Sequence, residues 1–224
     1  GVTGATIRSD FSTLERRHLL SRNHGGASLI KQKVVDLPVQ EKADIHPLEK
    51  KHIALAAATL LEEDDSIILT SGSTIETFAS TLKPKGTLNV VTPSIRVGIL
   101  LCEKDNIEVM LLGGHIIRKS LSVRDSYSLE GLKNVKCSKL FVSCDGFDLD
   151  AGITTAFEEE ARITEAMMKS ASQVVLLADS SKYGKAGFGK ICDFPAIDIM
   201  ITDGALAESV RSGIESKGVR VILS

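Results

Sequence analysis

The feature that most constrains this chain is an alternation. Seven short runs rich in β-branched and aliphatic residues lie at 66–70, 88–92, 107–112, 139–143, 173–178, 197–202 and 219–223. Between them come stretches of helical spacing at 75–82, 94–103, 126–133, 158–170 and 205–217, with another expected near 48–62. Short apolar runs suit strands covered on both sides, and parallel neighbours need a crossover, usually a helix. The expected fold is therefore α/β, a mostly parallel sheet with helices on both faces. A length of 224 residues allows one such domain and a small appendage.

In sheets of this kind ligands bind beyond the carboxyl ends of the strands. Polar residues do follow each of the first five runs: 70–74, Thr92-Pro93-Ser94, Gly113-Gly114-His115, 143–148 and Asp179-Ser180-Ser181-Lys182. These five loops are expected to converge on one edge.

Each loop supports a chemical reading and a plainer one. In Thr70-Ser71-Gly72-Ser73-Thr74 the glycine lets a ligand approach the backbone, and hydroxyls and amides at a helix start suit a phosphate. The plainer alternative is that Ser73 or Thr74 only caps the helix. Lys182 either supplies a cation to the same phosphate or is merely solvated. Asp145 and Asp148 either accept bonds from sugar hydroxyls, or act as a base, or form turns beside Gly146. Thr154 and Thr155 either line the site or belong to a simple turn. Glu158, Glu159 and Glu160 suit a helix N-terminus, where the dipole favours negative charge, with one of the three available to the cleft. His115 is a ligand candidate by position alone.

Several function classes are excluded. There is no Gly-x-Gly-x-x-Gly after a strand and no Walker loop, so no dinucleotide or nucleotide cofactor is expected. The five histidines show no metal-ligand spacing, and no metal is expected. Cys102, Cys137, Cys144 and Cys192 stand singly inside apolar runs and read as reduced core thiols of a cytoplasmic protein. No run approaches the length of a membrane span, and no signal-like start is seen.

The first 33 residues differ in kind. Six cationic residues face two acidic ones there, a local net of +4 against –2 for the whole chain. Ile7, Phe11, Leu14, Leu19 and Leu20 suggest a helix, ended by a hairpin around Gly25-Gly26. Thr3, Thr6, Arg8 and Ser9 are placed to meet DNA phosphates and base edges, with Arg22 and His24 on the hairpin near the backbone. A solvated amphipathic helix is the alternative. Residues 34–47, with Pro38 and Pro47, read as a linker, and 48–224 as the main domain.

The run from Ala5-Thr6-Ile7-Arg8 through Leu19-Leu20-Ser21-Arg22-Asn23-His24-Gly25-Gly26 resembles the recognition helix and wing of the DeoR family of bacterial repressors. The resemblance continues through Ser71-Gly72-Ser73-Thr74, Leu111-Leu112-Gly113-Gly114, Asp145-Gly146-Phe147-Asp148, Gly152-Ile153-Thr154-Thr155, Glu159-Glu160-Ala161 and Asp179-Ser180-Ser181-Lys182-Tyr183-Gly184. It implies a winged helix-turn-helix ahead of a sensor domain similar in fold to ribose-5-phosphate isomerase and glucosamine-6-phosphate deaminase. It also implies a phosphorylated sugar as effector, operator DNA as partner, and self-association. The expected effector contacts are Thr70, Ser71, Gly72, Ser73, Thr74, Gly114, His115, Arg124, Asp145, Asp148, Thr154, Glu159 and Lys182.

The chain departs from the family pattern in three places. Only six residues precede Ile7, where the family has further helices, so 1–33 reads as the remnant of a winged helix-turn-helix. Ser9 replaces a usual arginine. His115 follows Gly113-Gly114 in place of an arginine, and Val123-Arg124-Asp125 replaces Val-Gly-Pro. A sensor without catalysis is the expected function. A sugar-phosphate isomerase or deaminase in the same cleft is the competing one, and a domain that has lost ligand binding is a third.

Overall fold

The computed structural model of the chain describes Gly4, Thr6, Phe11, Leu20–Asn23, Gly26–Leu29 and residues 32–224. Strands β1 (Leu20–Asn23) and β2 (Gly26–Leu29) pair antiparallel, which is the hairpin expected around the paired glycines. Gly4, Thr6 and Phe11 are helical. Of the expected DNA contacts, Thr3, Arg8, Ser9 and His24 lie outside the described residues, and of Arg22 only the backbone, in β1, is described.

Seven strands form one parallel sheet: β4 (Ser66–Leu69), β5 (Leu88–Thr92), β6 (Ile107–Leu111), β9 (Cys137–Val142), β12 (Ala171–Leu177), β15 (Ile199–Thr202) and β16 (Arg220–Leu223). Their order is β16-β15-β12-β9-β4-β5-β6. The chain starts at β4, runs outward to β6, returns to β9 and runs outward the other way. The order thus reverses between β4 and β9, the point where such sheets open a crevice.

Side chains alternate across each strand, and the two faces fill two cores. Ile67, Leu69, Phe141, Val175 and Ile201 pack under the helices Pro47–Ala58, Ser73–Thr81 and Ile95–Cys102, through Ile53, Ala57, Ile75, Phe78, Val97 and Leu101. Ile68, Leu140, Val142, Leu176 and Met200 meet Leu132, Ala161, Met167, Val210 and Ile214 of the helices Ser126–Leu132, Glu158–Lys169 and Glu208–Glu215. Each fully buried aliphatic or aromatic side chain contributes about 1.5–3 kcal/mol. Pro47 sits in the first turn of its helix, and Ser94 Oγ accepts from Val97 N at 3.3 Å to start another.

Smaller strands finish the fold. β10 (Gly146–Asp148), β11 (Gly152–Thr155) and β14 (Gly189–Cys192) make an antiparallel sheet over the second core, carrying Phe147, Ile153 and Ile191. β7 (Ile116–Ile117) and β8 (Ser122–Val123) form a hairpin, and β3 (Gln32–Lys33) runs parallel to β13 (Lys185–Ala186). The cysteines are all free thiols. Cys137 and Cys144 are buried as expected, but Cys102 is exposed, because it ends a helix on the open edge of the sheet beside β6.

Among the described residues no helix is long and apolar enough to cross a membrane. None of their His, Cys, Asp and Glu side chains gather into a group that could hold a metal ion.

Candidate functional site

At the reversal between β4 and β9 the strand-end loops enclose a cavity of about 40 Å3. Its floor is Ser71, Gly72, Ser73 and Thr74 after β4, and Ser143, Cys144 and Asp145 after β9. Gly72 is the N-cap of the Ser73–Thr81 helix at φ 119° and ψ 155°, a region closed to residues with a side chain, and a Cβ there would lie 3.2 Å from Ser143 Oγ. No side chain caps this helix. The amides of its first turn have no intrahelical acceptor, while Glu76 N closes back on Gly72 O at 2.9 Å. The capping role weighed for Ser73 and Thr74 is therefore not the one they have.

Cationic groups surround this floor. Arg124 comes from the segment after β8, with its guanidinium 4.8 Å over the Phe157 ring. Its Nη2 donates to Ser120 Oγ at 3.2 Å and lies 3.5 Å from Glu160 Oε2. Its Nε is buried with no hydrogen-bond partner among the described residues. Lys182 lines the cavity from the turn after β12, which Asp203 fixes by accepting from Ser180 N at 2.6 Å. Lys42 Nζ reaches Asp145 Oδ1 at 2.6 Å.

Asp145 is fully engaged. Its Oδ2 accepts from Thr155 Oγ1 and from Ala156 N, each at 3.0 Å. Burial works against its charge, yet Lys42, then Lys182 and the Ala156 amide, hold its pKa below the usual carboxylate value. Glu160 is the reverse: burial and the nearby Asp145 raise it, with Arg124 only partly compensating. Burial also pushes up the Cys144 thiol, which is thus protonated and no nucleophile.

Not every expected residue arrives here. Thr70 stands behind the floor, its hydroxyl accepting from Ser143 N at 3.3 Å. Asp148 forms a turn, accepting from Asp150 N and Ala151 N at 3.0 and 3.1 Å. Thr154 ties β10 to β11, donating to Gly146 O and accepting from Gly187 N, both at 3.0 Å. His115 is exposed and bonded to Asp125, and Gly114, at φ 141°, lets the turn pass Asp125 closely. Glu159 lies outside the cavity, beside Arg162 and Leu129. Of the three glutamates it is Glu160 that faces in.

Sequence comparison agrees with these strand-end motifs. The family described as the DeoR C terminal sensor domain matches residues 45–204, and the DeoR-like helix-turn-helix domain matches residues 1–33. The chain belongs to the DeoR family.

Relatives of this DeoR-family regulator include the transcriptional regulator YulB of Bacillus subtilis, 37% identical over 98% of this chain and 85% of that one. A putative aga operon transcriptional repressor of Escherichia coli O157:H7 is 31% identical over 100% of this chain and 84% of its own length. GlpR of Haloferax volcanii is 36% identical over 99% and 87%. Solved structures similar to it include a probable sor operon regulator from Shigella flexneri, with TM-score 0.48 and 14% identity over 92% of this chain and 97% of that one. Ribose 5 phosphate isomerase A from Neisseria gonorrhoeae matches at TM-score 0.42 and 20% identity, over 60% and 52%. Membership of the DeoR family makes the chain a transcriptional regulator with a DNA-binding helix-turn-helix.

The sequence reading of this DeoR-family chain missed Lys42, Lys119 and Ser143, and of the three glutamates took Glu159 where Glu160 lines the cavity. Lys42 and Lys119 carry no local signal, since each depends on contacts far along the chain. Glu160 had one. It precedes Ala161, Thr164 and Met167, the buried stripe of its helix, and so lies on the inward side.

Proposed function

We propose that the 48–224 domain binds a phosphorylated sugar in this cavity, and that binding changes the affinity of the 1–33 segment for operator DNA. The observation that carries the proposal is the uncapped start of the Ser73–Thr81 helix, at Gly72, inside a cavity lined by Lys42, Arg124 and Lys182. Helix N-termini of this kind bind phosphate through free amides and the helix dipole. The phosphate is assigned to Ser71, Gly72, Ser73 and Thr74 with Arg124 and Lys182. The sugar hydroxyls are assigned to Asp145 and Glu160. The name of one relative, the L-fucose operon activator of Haemophilus influenzae, favours a sugar-derived ligand.

A sensor is favoured over an isomerase or deaminase by the state of Asp145. A carboxylate whose Oδ2 is held by Thr155 Oγ1 and Ala156 N, with a depressed pKa, is a poor general base. Reading a symmetric operator needs two helix-turn-helix copies, so the proposal includes self-association and a cytoplasmic site of action.

Thermal unfolding with a panel of hexose and pentose phosphates and the matching free sugars tests the reading. A ligand that binds only the native state raises Tm by mass action. At least one phosphate is expected to raise Tm and shift operator binding in a gel-mobility assay, with its free sugar inert. Equal shifts from both, or robust turnover of any phosphate abolished by Asp145→Asn, would overturn it.

A further inference from the structure

The roof of the cavity is the linker itself. Asp36, Leu37, Val39 and Lys42 line it, although residues 34–47 join the DNA-binding segment to the sensor domain. Val34 N donates to Ala186 O at 3.3 Å, continuing the pairing of β3 with β13. Val39 N donates to Lys119 O at 2.7 Å, and Lys119 Nζ lies 3.0 Å from Asp36 Oδ2. Lys42 closes on Asp145, while the buried Lys50 ammonium donates to the carbonyls of Lys42 and Ile45.

This attachment is specific but thin. Between residues 34 and 45 only Val39 is buried, so the segment is held by polar contacts and one apolar anchor. Segments with few buried apolar contacts open at low free-energy cost.

The space under it is too small for the ligand. A cavity of about 40 Å3 holds about three waters, whereas small-molecule sites run to roughly 300–1,000 Å3. A second cavity of about 190 Å3, lined also by Lys50, Asp179 and Lys185, shares Leu37, Lys42, Asp145 and Lys182 with the first. The Lys42–Asp145 ion pair lines both cavities.

We infer that residues 34–45 form a strap that shuts the effector site, and that the ligand phosphate enters by taking Lys42 from Asp145, releasing the strap and the helix-turn-helix joined to it. This rests on the effector reading above and adds its regulation. Asp145 keeps Thr155, Ala156 and the field of Lys182 when Lys42 leaves, so the exchange strands no buried charge. The strap enters the sensor beside the site and is continuous with the DNA-binding segment. Occupancy and operator affinity are thereby coupled without a relay through the core.

Hydrogen exchange followed by mass spectrometry on the whole chain tests this, with ribose 5-phosphate, glucose 6-phosphate and inorganic phosphate as probes. A bound probe is expected to slow amides of 71–76 and to speed those of 34–45 by about fivefold or more. Slowing at 71–76 with 34–45 unchanged or slowed would overturn the strap while leaving the effector reading intact. No slowing at 71–76 with any probe would remove the effector reading, and the strap with it. In Lys42→Met the 34–45 amides are expected to exchange rapidly without ligand, and in Lys42→Arg at the parental rate. Retained protection of 67–69 shows that the variants fold, and parental protection of 34–45 in Lys42→Met would also overturn the inference.

Discussion

The strands β4 and β9 carry a lysine–aspartate pair at each end, and the two pairs do different work. At the amino ends Lys139 Nζ lies 2.7 Å from Asp65 Oδ2, with the side chains 8% and 4% exposed. Ser138 Oγ and the amides of Glu62 and Ser66 also donate to Asp65, so the charge is satisfied within the sheet and its adjoining turn. At the carboxyl ends Lys42 meets Asp145, 103 residues away in sequence, and comes from outside the sheet. One pair joins two strands permanently. The other holds the 34–45 segment over the cavity proposed as the effector site. The same charge chemistry serves scaffold or switch according to what each partner is attached to.

The largest expected effect falls on the scaffold pair. Lys139→Met leaves Asp65 charged and buried, which costs about 3–5 kcal/mol, measured by urea unfolding. The Tm rise produced by a bound sugar phosphate should survive. A loss below about 1 kcal/mol would mean that the two pairs do not differ in burial as described.

Gly72→Ala comes next. Its φ of 119° strains any side chain, at about 1–3 kcal/mol, and the methyl group approaches Ser143 at the floor of the site. Loss of the phosphate-induced Tm shift is expected. A full shift in the variant would show that the anion sits elsewhere.

Lys42→Met should cost less than Lys139→Met, about 1–2 kcal/mol, because the Lys42 and Asp145 side chains are 19% and 12% exposed, more open to water than the pair at the other end. In gel-mobility titrations the effector should no longer change operator affinity. A variant that unfolds as readily as Lys139→Met would erase the contrast between the two ends.

The smallest effect concerns Glu160. Its pKa is raised in the folded state by burial, so the folded form binds the proton more tightly than the unfolded chain. The stability this provides is fully present below the unfolded value, about 4.3, and is lost as pH rises through the folded pKa. Glu160→Gln should therefore have the higher Tm at neutral pH, with the difference closing toward pH 4. A lower Tm at neutral pH would show that the Arg124 contact outweighs burial.

The legibility of the chain divides along the same line as the two ion pairs. The seven parallel strands were readable to within about two residues, because a strand buried on both faces leaves a contiguous apolar run. The sheet of β10, β11 and β14 was not readable. Three residues such as Gly146–Asp148 show no period, and β11 meets β14 only across an intervening α-helix and two strands. Of the residues that line the cavity, Ser71–Thr74, Arg124, Asp145 and Lys182 were legible in the sequence, since each stands at or near the end of a local element. The choice between Thr154 and Thr155, or Asp145 and Asp148, was not open to sequence. It depends on which face of a short strand meets the cavity, and on which carboxylate the following turn needs for its own amides. The strap was invisible because its meaning lies in contacts with residues 119, 145 and 186, none of them near it in the chain.

The most direct test is the crystal structure of the chain grown with a sugar phosphate that raises its Tm. The account predicts the phosphate within about 3 Å of the Ser73 and Thr74 amides, with Lys42 turned from Asp145 toward it. Ligand density confined to the cavity among Lys50, Lys182 and Lys185, with the Ser73–Thr81 helix start empty, would contradict it.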